Sequence, residues 1–133
     1  MTYYVASSVF NAERVNRVAE ALNRLGHERT YNWTSHGSVA DAPAEAKRTV
    51  AETEFDAVSR ARLAVFLLPG RFGTHVELGA AIASDTTEQV LLWSDTSAPF
   101  DGGDGFCVFY HHPKVERLIC PFETLLTTLE NRF

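Results

Sequence analysis

The stretch Leu63-Ala64-Val65-Phe66-Leu67-Leu68-Pro69-Gly70-Arg71-Phe72-Gly73-Thr74-His75-Val76-Glu77-Leu78-Gly79 organises the whole chain. Leu63 to Leu68 is an unbroken apolar run, the pattern of a strand buried on both faces. Pro69 to Gly73 is a Gly-containing turn, and Leu78 to Ala83 is a small-residue helical segment. Strand, Gly-rich turn and helix N-terminus form the arrangement that binds anions and nucleotides in α/β proteins, because the free N–H groups of the first helical turn face the ligand. A carboxylate, Glu77, opens that helix. Thr74-His75-Val76-Glu77 fits the capping box S/T-x-x-E/Q, in which the glutamate only returns a hydrogen bond to the Thr74 backbone. The sharper reading is a nucleophile. A carboxylate can attack an anomeric carbon, hold the glycosyl group covalently and stabilise an oxocarbenium-like transition state. A capped glutamate is also a rigidly aimed one, so the two readings are compatible.

Outward from this stretch the chain alternates between strand and helix patterns. Tyr3 to Ser7 predicts a short first strand. Ala12 to Leu25 predicts a helix with Val15, Val18, Ala19, Leu22 and Leu25 on one face, Asn11 as its N-cap and Gly26 just past its end. Glu28 to Trp33 alternates as a second strand, and the polar, Gly-containing Thr34 to Ala42 predicts a loop. Pro43 to Arg62 predicts a long helix, with proline at its start and Val50, Phe55 and Val58 on its apolar side. Beyond the central turn, a helix to about Ser84 leads to a fourth strand at Gln89 to Trp93. A Gly-rich loop from Asp95 to Gly105, a fifth strand at Phe106 to Tyr110 and a closing helix at Phe122 to Leu129 complete the chain. This order predicts an α/β fold: a small doubly wound, flavodoxin- or Rossmann-like domain over residues 1–133. It would hold a five-stranded parallel sheet of order 2-1-3-4-5 with helices on both faces. Ligands of such folds sit beyond the carboxyl ends of the strands, which here carry Ser7-Ser8, Trp33, Pro69 to Glu77, and Ser94.

Bulk properties narrow the function classes. The chain has 133 residues, 45% hydrophobic and 22% charged, as in an ordinary globular domain with a real core. Its formal net charge of -5 argues against a nucleic-acid polymer as partner, since phosphate backbones need clustered Lys and Arg. No run approaches about 18 apolar residues, so no membrane span is expected. Met1-Thr2-Tyr3-Tyr4-Val5 lacks the basic region of a signal peptide, and Cys107 and Cys120 stand in apolar surroundings without a CxxC spacing. They read as buried thiols of a cytoplasmic protein. The five His residues form no HExxH-like pattern, and the adjacent His111 and His112 would point apart in a strand, so no metal site is expected.

The strand Leu63 to Leu68, the turn Pro69 to Gly79 and the N-terminal Tyr4-Val5-Ala6-Ser7-Ser8 together resemble the nucleoside 2-deoxyribosyltransferase family, especially its 2′-deoxynucleoside 5′-monophosphate N-hydrolase branch. The likeness extends over the first helix, the Glu54 to Arg62 helix end and Gly73 to Ala81. It implies a doubly wound fold and an enzyme that cleaves or exchanges the base–sugar bond of a nucleoside or nucleoside 5′-monophosphate. It implies no metal and no organic cofactor, and a homodimer in which a neighbouring subunit often completes the pocket. The Gly-x-x-x-Glu-Leu-Gly core of the family places its catalytic glutamate at Glu77. Tyr4 aligns with a tyrosine beside sugar and glutamate, and the alternative for it is a core aromatic. Glu54 falls where the family has an aspartate toward the ribose or leaving base, with Asp56 as another occupant of that role. A second carboxylate is what protonating a leaving base requires.

Gly73 and Thr74 would hold the 5′ end; Ser7 and Ser8 either join them or form only a strand-to-helix turn, and Trp33 is either a surface on which a base stacks or a core or lid residue. Arg71 departs from the family, which tends to have Asp in the transferases and Ser in the hydrolases there. A guanidinium at that position suits a 5′-phosphate. His75 stands where the hydrolases usually have Gly, as a ligand contact or a wall of the pocket. The Pro-Gly-x-x-Gly-Thr-x-x-Glu order is also similar to the turn of cytokinin-activating phosphoribohydrolases, which cleave the same class of bond. The rival reading is a non-enzymatic nucleotide sensor on the same fold, keeping the phosphate-binding turn without an effective acid partner.

Overall fold

Residues 1–133 are described by a computed structural model. In chain order the elements are β1 (Thr2–Ala6), α1 (Ala12–Arg24), β2 (Glu28–Arg29), α2 (Ala44–Ser59), β3 (Leu63–Leu67), α3 (Phe72–Ala83), β4 (Gln89–Ser94), β5 (Val115–Ile119) and α4 (Phe122–Arg132). All strands run parallel in the order β2-β1-β3-β4-β5, the expected doubly wound sheet. Right-handed crossovers then put α1 with α4 on one face and α2 with α3 on the other. No helix is long and apolar enough to cross a membrane.

The apolar run behaves as its composition demands. Every residue of β3 is buried, because the strand is central and covered on both faces. α1 buries Val15, Val18, Ala19 and Leu22, a stripe at helical spacing. Its end is a Schellman turn: Gly26 has φ +88°, and the N–H groups of Gly26 and His27 donate to Asn23 O and Leu22 O at 2.9 and 3.1 Å. A side chain would be strained at that φ, so the glycine read there as a helix stop has its physical reason.

Four expectations need correction. The fifth strand is Val115–Ile119, and Phe106 to Tyr110 instead leads into a 3-10 turn at Val108–His111. β4 ends at the carboxyl edge of the sheet, so the chain must return to the opposite edge before a parallel strand can begin. Residues 95–114 make that return without an α-helix. The crossover ends at Lys114, whose Nζ donates to the carbonyls of Ala81, Ile82 and Ser84 at 2.9, 3.1 and 2.7 Å and closes the C-terminus of α3. Edge strand β5 has exposed Glu116 and Arg117, which hide it from an apolar-run reading.

The second strand stops at Arg29 rather than reaching Trp33. Trp33 lies in a 3-10 turn, and its Nε1 donates to Val5 O at 2.8 Å, satisfying a β1 carbonyl that β2 leaves uncovered. On α2, Val58 is buried but Phe55 is half exposed, so the apolar side is narrower than predicted. Finally, Cys107 and Cys120 are free and only partly buried.

Candidate active site

The loops after β1, β2 and β3 converge at the carboxyl edge, where the strand order reverses around β1 and β3. Together with α2 they enclose a cavity of about 430 Å³, whose walls include Ser7, Ser8, Trp33, Glu54, Arg71, Gly73, Thr74 and Glu77. Eight of the sequence-derived candidates therefore share one cavity, and a ninth, Tyr4, touches it through Glu77.

The turn is built tightly. α3 starts at Phe72, six residues before the small-residue segment that marked it in the sequence. Arg71 occupies the N-cap position, and its N–H donates to Thr74 Oγ1 at 3.2 Å. Thr74 thus closes the first helical turn from within, and Glu77 lies a further turn along. This corrects the capping-box reading of Glu77, because the helix opens before the residue that was to cap it. Gly70 is required here: a Cβ at that position would stand 2.7 Å from Thr74 Cγ2. Gly73 and Thr74 of this first turn line the cavity, and the N–H groups of a helix start are the donors an anion site uses.

Released from capping, the Glu77 carboxyl accepts a short hydrogen bond from the Tyr4 hydroxyl. Tyr4 is fully buried on β1, so strand and helix together fix the aim of the carboxyl. Burial drives the Glu77 pKa up to about 8; the Tyr4 bond opposes the shift and the Glu54 charge adds to it. Burial also raises Glu54, and a positive charge on His36 would act in the opposite direction. Tyr4 stays a phenol, since burial and the two carboxylates all disfavour its anion. The site therefore couples two carboxyls that hold protons more tightly than exposed ones, the arrangement in which one can act as acid while the other acts as base or nucleophile.

The remaining candidates divide by what their polar atoms already do. Ser7 Oγ donates to Leu67 O at 2.7 Å and accepts from Asn11 Nδ2 at 3.0 Å, so its hydroxyl ties β1 to β3. Trp33 is buried with its N–H committed, leaving only ring surface toward the cavity. Arg71 is exposed and forms none of the five ion pairs of the protein, so its guanidinium is open to an anion.

His75 lies outside this cavity. Its Nδ1 donates to Arg71 O at 2.6 Å, its Nε2 accepts from the Tyr110 hydroxyl at 2.6 Å, and the two rings stack with centroids 5.6 Å apart. It faces a smaller cavity of about 240 Å³ beside Ser94 and Asp95. Among the cavity residues that escaped the sequence reading is His36, in the loop after the Trp33 turn. A single histidine between Ser35 and Gly37 carries no local signature, and only the fold brings it to the same wall as Glu54.

No protein-family model and no curated protein matches the chain. Among solved structures it is similar to the CMP N-glycosidase BcmB of Clostridium botulinum, with a TM-score of 0.63 and 17% identity over 98% of this chain and 99% of that one. A likeness at that identity establishes the shared fold over nearly the full length of both chains.

Proposed function

We propose that this chain is a nucleotide N-glycosidase that hydrolyses the base–sugar bond of a nucleoside 5′-monophosphate with Glu77 as nucleophile. The observation that carries the reading is the Tyr4-held Glu77 carboxyl beside Glu54 in the cavity above the β3–α3 turn. The full-length fold shared with a CMP N-glycosidase supports the same bond class. In this mechanism Glu77 attacks C1′ as the C1′–N bond breaks, and the bond's electron pair leaves with the base. Protonated Glu54 gives the departing base its proton. Water then attacks C1′ of the glycosyl ester, returns a proton to Glu54 and frees Glu77. The N–H groups of the first α3 turn and the Arg71 guanidinium hold the 5′-phosphate.

Purified protein incubated with ribo and deoxy nucleosides and 5′-monophosphates is expected to release free base from monophosphates, read by chromatography. Base exchange with an added second base would identify a transferase instead. Nucleotide-dependent stabilisation without base release would identify a sensor. Arg71→Ala is expected to raise KM for monophosphates by about tenfold or more while leaving nucleosides unaffected, the loss of one charge-assisted phosphate contact.

We read the chain as a cytoplasmic, single-domain enzyme that pairs with a second copy of itself. Phe55 and Val76 are exposed around an open cavity of about 700 Å³ between α2 and α3, which shares Glu54, Gly73 and Glu77 with the site. A copy docked there would cover apolar surface and exclude water from the carboxyl pair. Sedimentation is expected to give twice the mass of one chain, and Val76→Glu is expected to return it to the single-chain value.

A further inference from the structure

His36 is held at the end of the short turn that Trp33 anchors. Its backbone N–H donates to Trp33 O, and Asn32 Oδ1 accepts from Thr34 N at 3.1 Å to close the turn beneath it. The Tyr31 ring flanks the imidazole with centroids 5.8 Å apart. Nδ1 lies 2.9 Å from Gly37 O. A carbonyl oxygen only accepts, so this contact assigns the proton to Nδ1 and leaves Nε2 of the neutral ring with a lone pair. That Nε2 is buried and has no partner. Buried acceptors are almost always satisfied, and an orphan calls for a reason. The ring belongs to the wall of the cavity that also holds Glu54 and Glu77. Residues Gly37 to Ala42 beyond it carry no helix or strand, and contact between Nε2 and a bound molecule requires this wall to shift.

We propose that His36 reads the nucleobase: its Nε2 accepts a hydrogen bond from an exocyclic amino group, selecting amino-bearing bases over their oxo counterparts. This rests on the N-glycosidase reading of the site and names its substrate class more narrowly. The chemistry follows from the fixed tautomer. An amino group offers the N–H that Nε2 lacks, whereas a carbonyl at the same place sets lone pair against lone pair. A site built to accept from a donor rejects the analogue without it more strongly than a merely apolar pocket does. Two neighbouring groups are already committed: Trp33 Nε1 donates to Val5 O, and Thr34 Oγ1 donates to Asn32 Oδ1.

The test compares kcat/KM for cytidine against uridine 5′-monophosphate, and for adenosine against inosine 5′-monophosphate, in wild type, His36→Leu and His36→Gln. Wild type is expected to favour the amino base of at least one pair by about tenfold to a hundredfold. His36→Leu is expected to erase that preference, mainly through KM. His36→Gln, whose amide oxygen can accept in place of Nε2, is expected to keep most of it. A histidine that only braces the loop would lower both members of a pair alike, and that result overturns the proposal. So does a wild type that shows no preference, or a Leu variant that retains it. If the Leu variant fails to fold, His36→Ala takes its place: an Ala variant that keeps the wild-type ratio overturns the assignment, and one that loses it supports the assignment. Wild type releasing base from monophosphates while the ratio ignores His36 removes only this proposal. Wild type releasing no base from any nucleotide removes the N-glycosidase reading and the proposal with it.

Discussion

Glu77→Gln is expected to abolish base release, by about 10³-fold or more in kcat, while nucleotide binding survives. Glutamine keeps the length of the side chain and an oxygen that accepts from Tyr4, so the wall of the cavity is retained. What it loses is the anion that attacks C1′. Binding is read as ligand-induced stabilisation, which for a ligand at 100 times its dissociation constant amounts to about 2.7 kcal/mol. The same substitution carries a stability signature. The Glu77 pKa is raised by burial to about 8, well above its unfolded value of 4.5. Stability from its proton is therefore complete below the unfolded pKa and is lost as pH rises through the folded one. Glutamine cannot ionise and escapes that loss. The variant and wild type are expected to melt together near pH 4, and the variant to melt roughly 5 °C or more higher near pH 9. An inactive but more stable protein at alkaline pH is what a carboxylate buried for function implies. Wild-type activity in the Gln variant would instead leave Glu77 as a helix residue.

The second large effect is on the pH profile. Attack needs one carboxylate and departure of the base needs one carboxylic acid, so the Glu77–Glu54 pair works with one proton shared between them. Loss of the last proton is tied to the group at about 8. In wild type, kcat/KM is expected to fall about tenfold per unit above that pH, hence about a hundredfold between pH 8 and 10. The profile in Glu54→Gln is expected to turn around. With no acid to lose, kcat/KM is lower overall but rises with pH as Glu77 ionises, and the rise sits below pH 8 because the Glu54 charge no longer opposes that ionisation. An alkaline limb that persists unchanged in Glu54→Gln would remove Glu54 from the proton-donating role.

The two tests bear on different parts of the site, and the sequence prepared them unequally. The helix-by-strand alternation, the buried β3 run and the Gly26 stop were legible because each reflects a local rule of burial or backbone conformation. The convergence of Ser7, Ser8, Glu54 and Glu77 was legible only through the fold, since they lie in the loop after β1, on α2 and on α3. Glu116 and Arg117 hid β5, because an edge strand with a solvated side does not need an apolar run. Phe106 to Tyr110 imitated a strand by composition alone: Phe106, Val108 and Phe109 are exposed, and only Tyr110 is buried.

By itself, the sequence determined the architecture: the order of apolar runs and turn residues leaves a five-stranded parallel sheet with helices on both faces as the way to bury them. It also placed a carboxylate near the end of the central strand. Tertiary structure decided what surrounds that carboxylate. Starting α3 at Phe72 took Glu77 out of the cap, Tyr4 from a neighbouring strand took hold of it, and Glu54 and His36 arrived from segments far away in the chain. Local patterns encode which face is buried. The proton affinity of a side chain, and whether a histidine nitrogen has a partner, depend on groups brought close only when the chain folds.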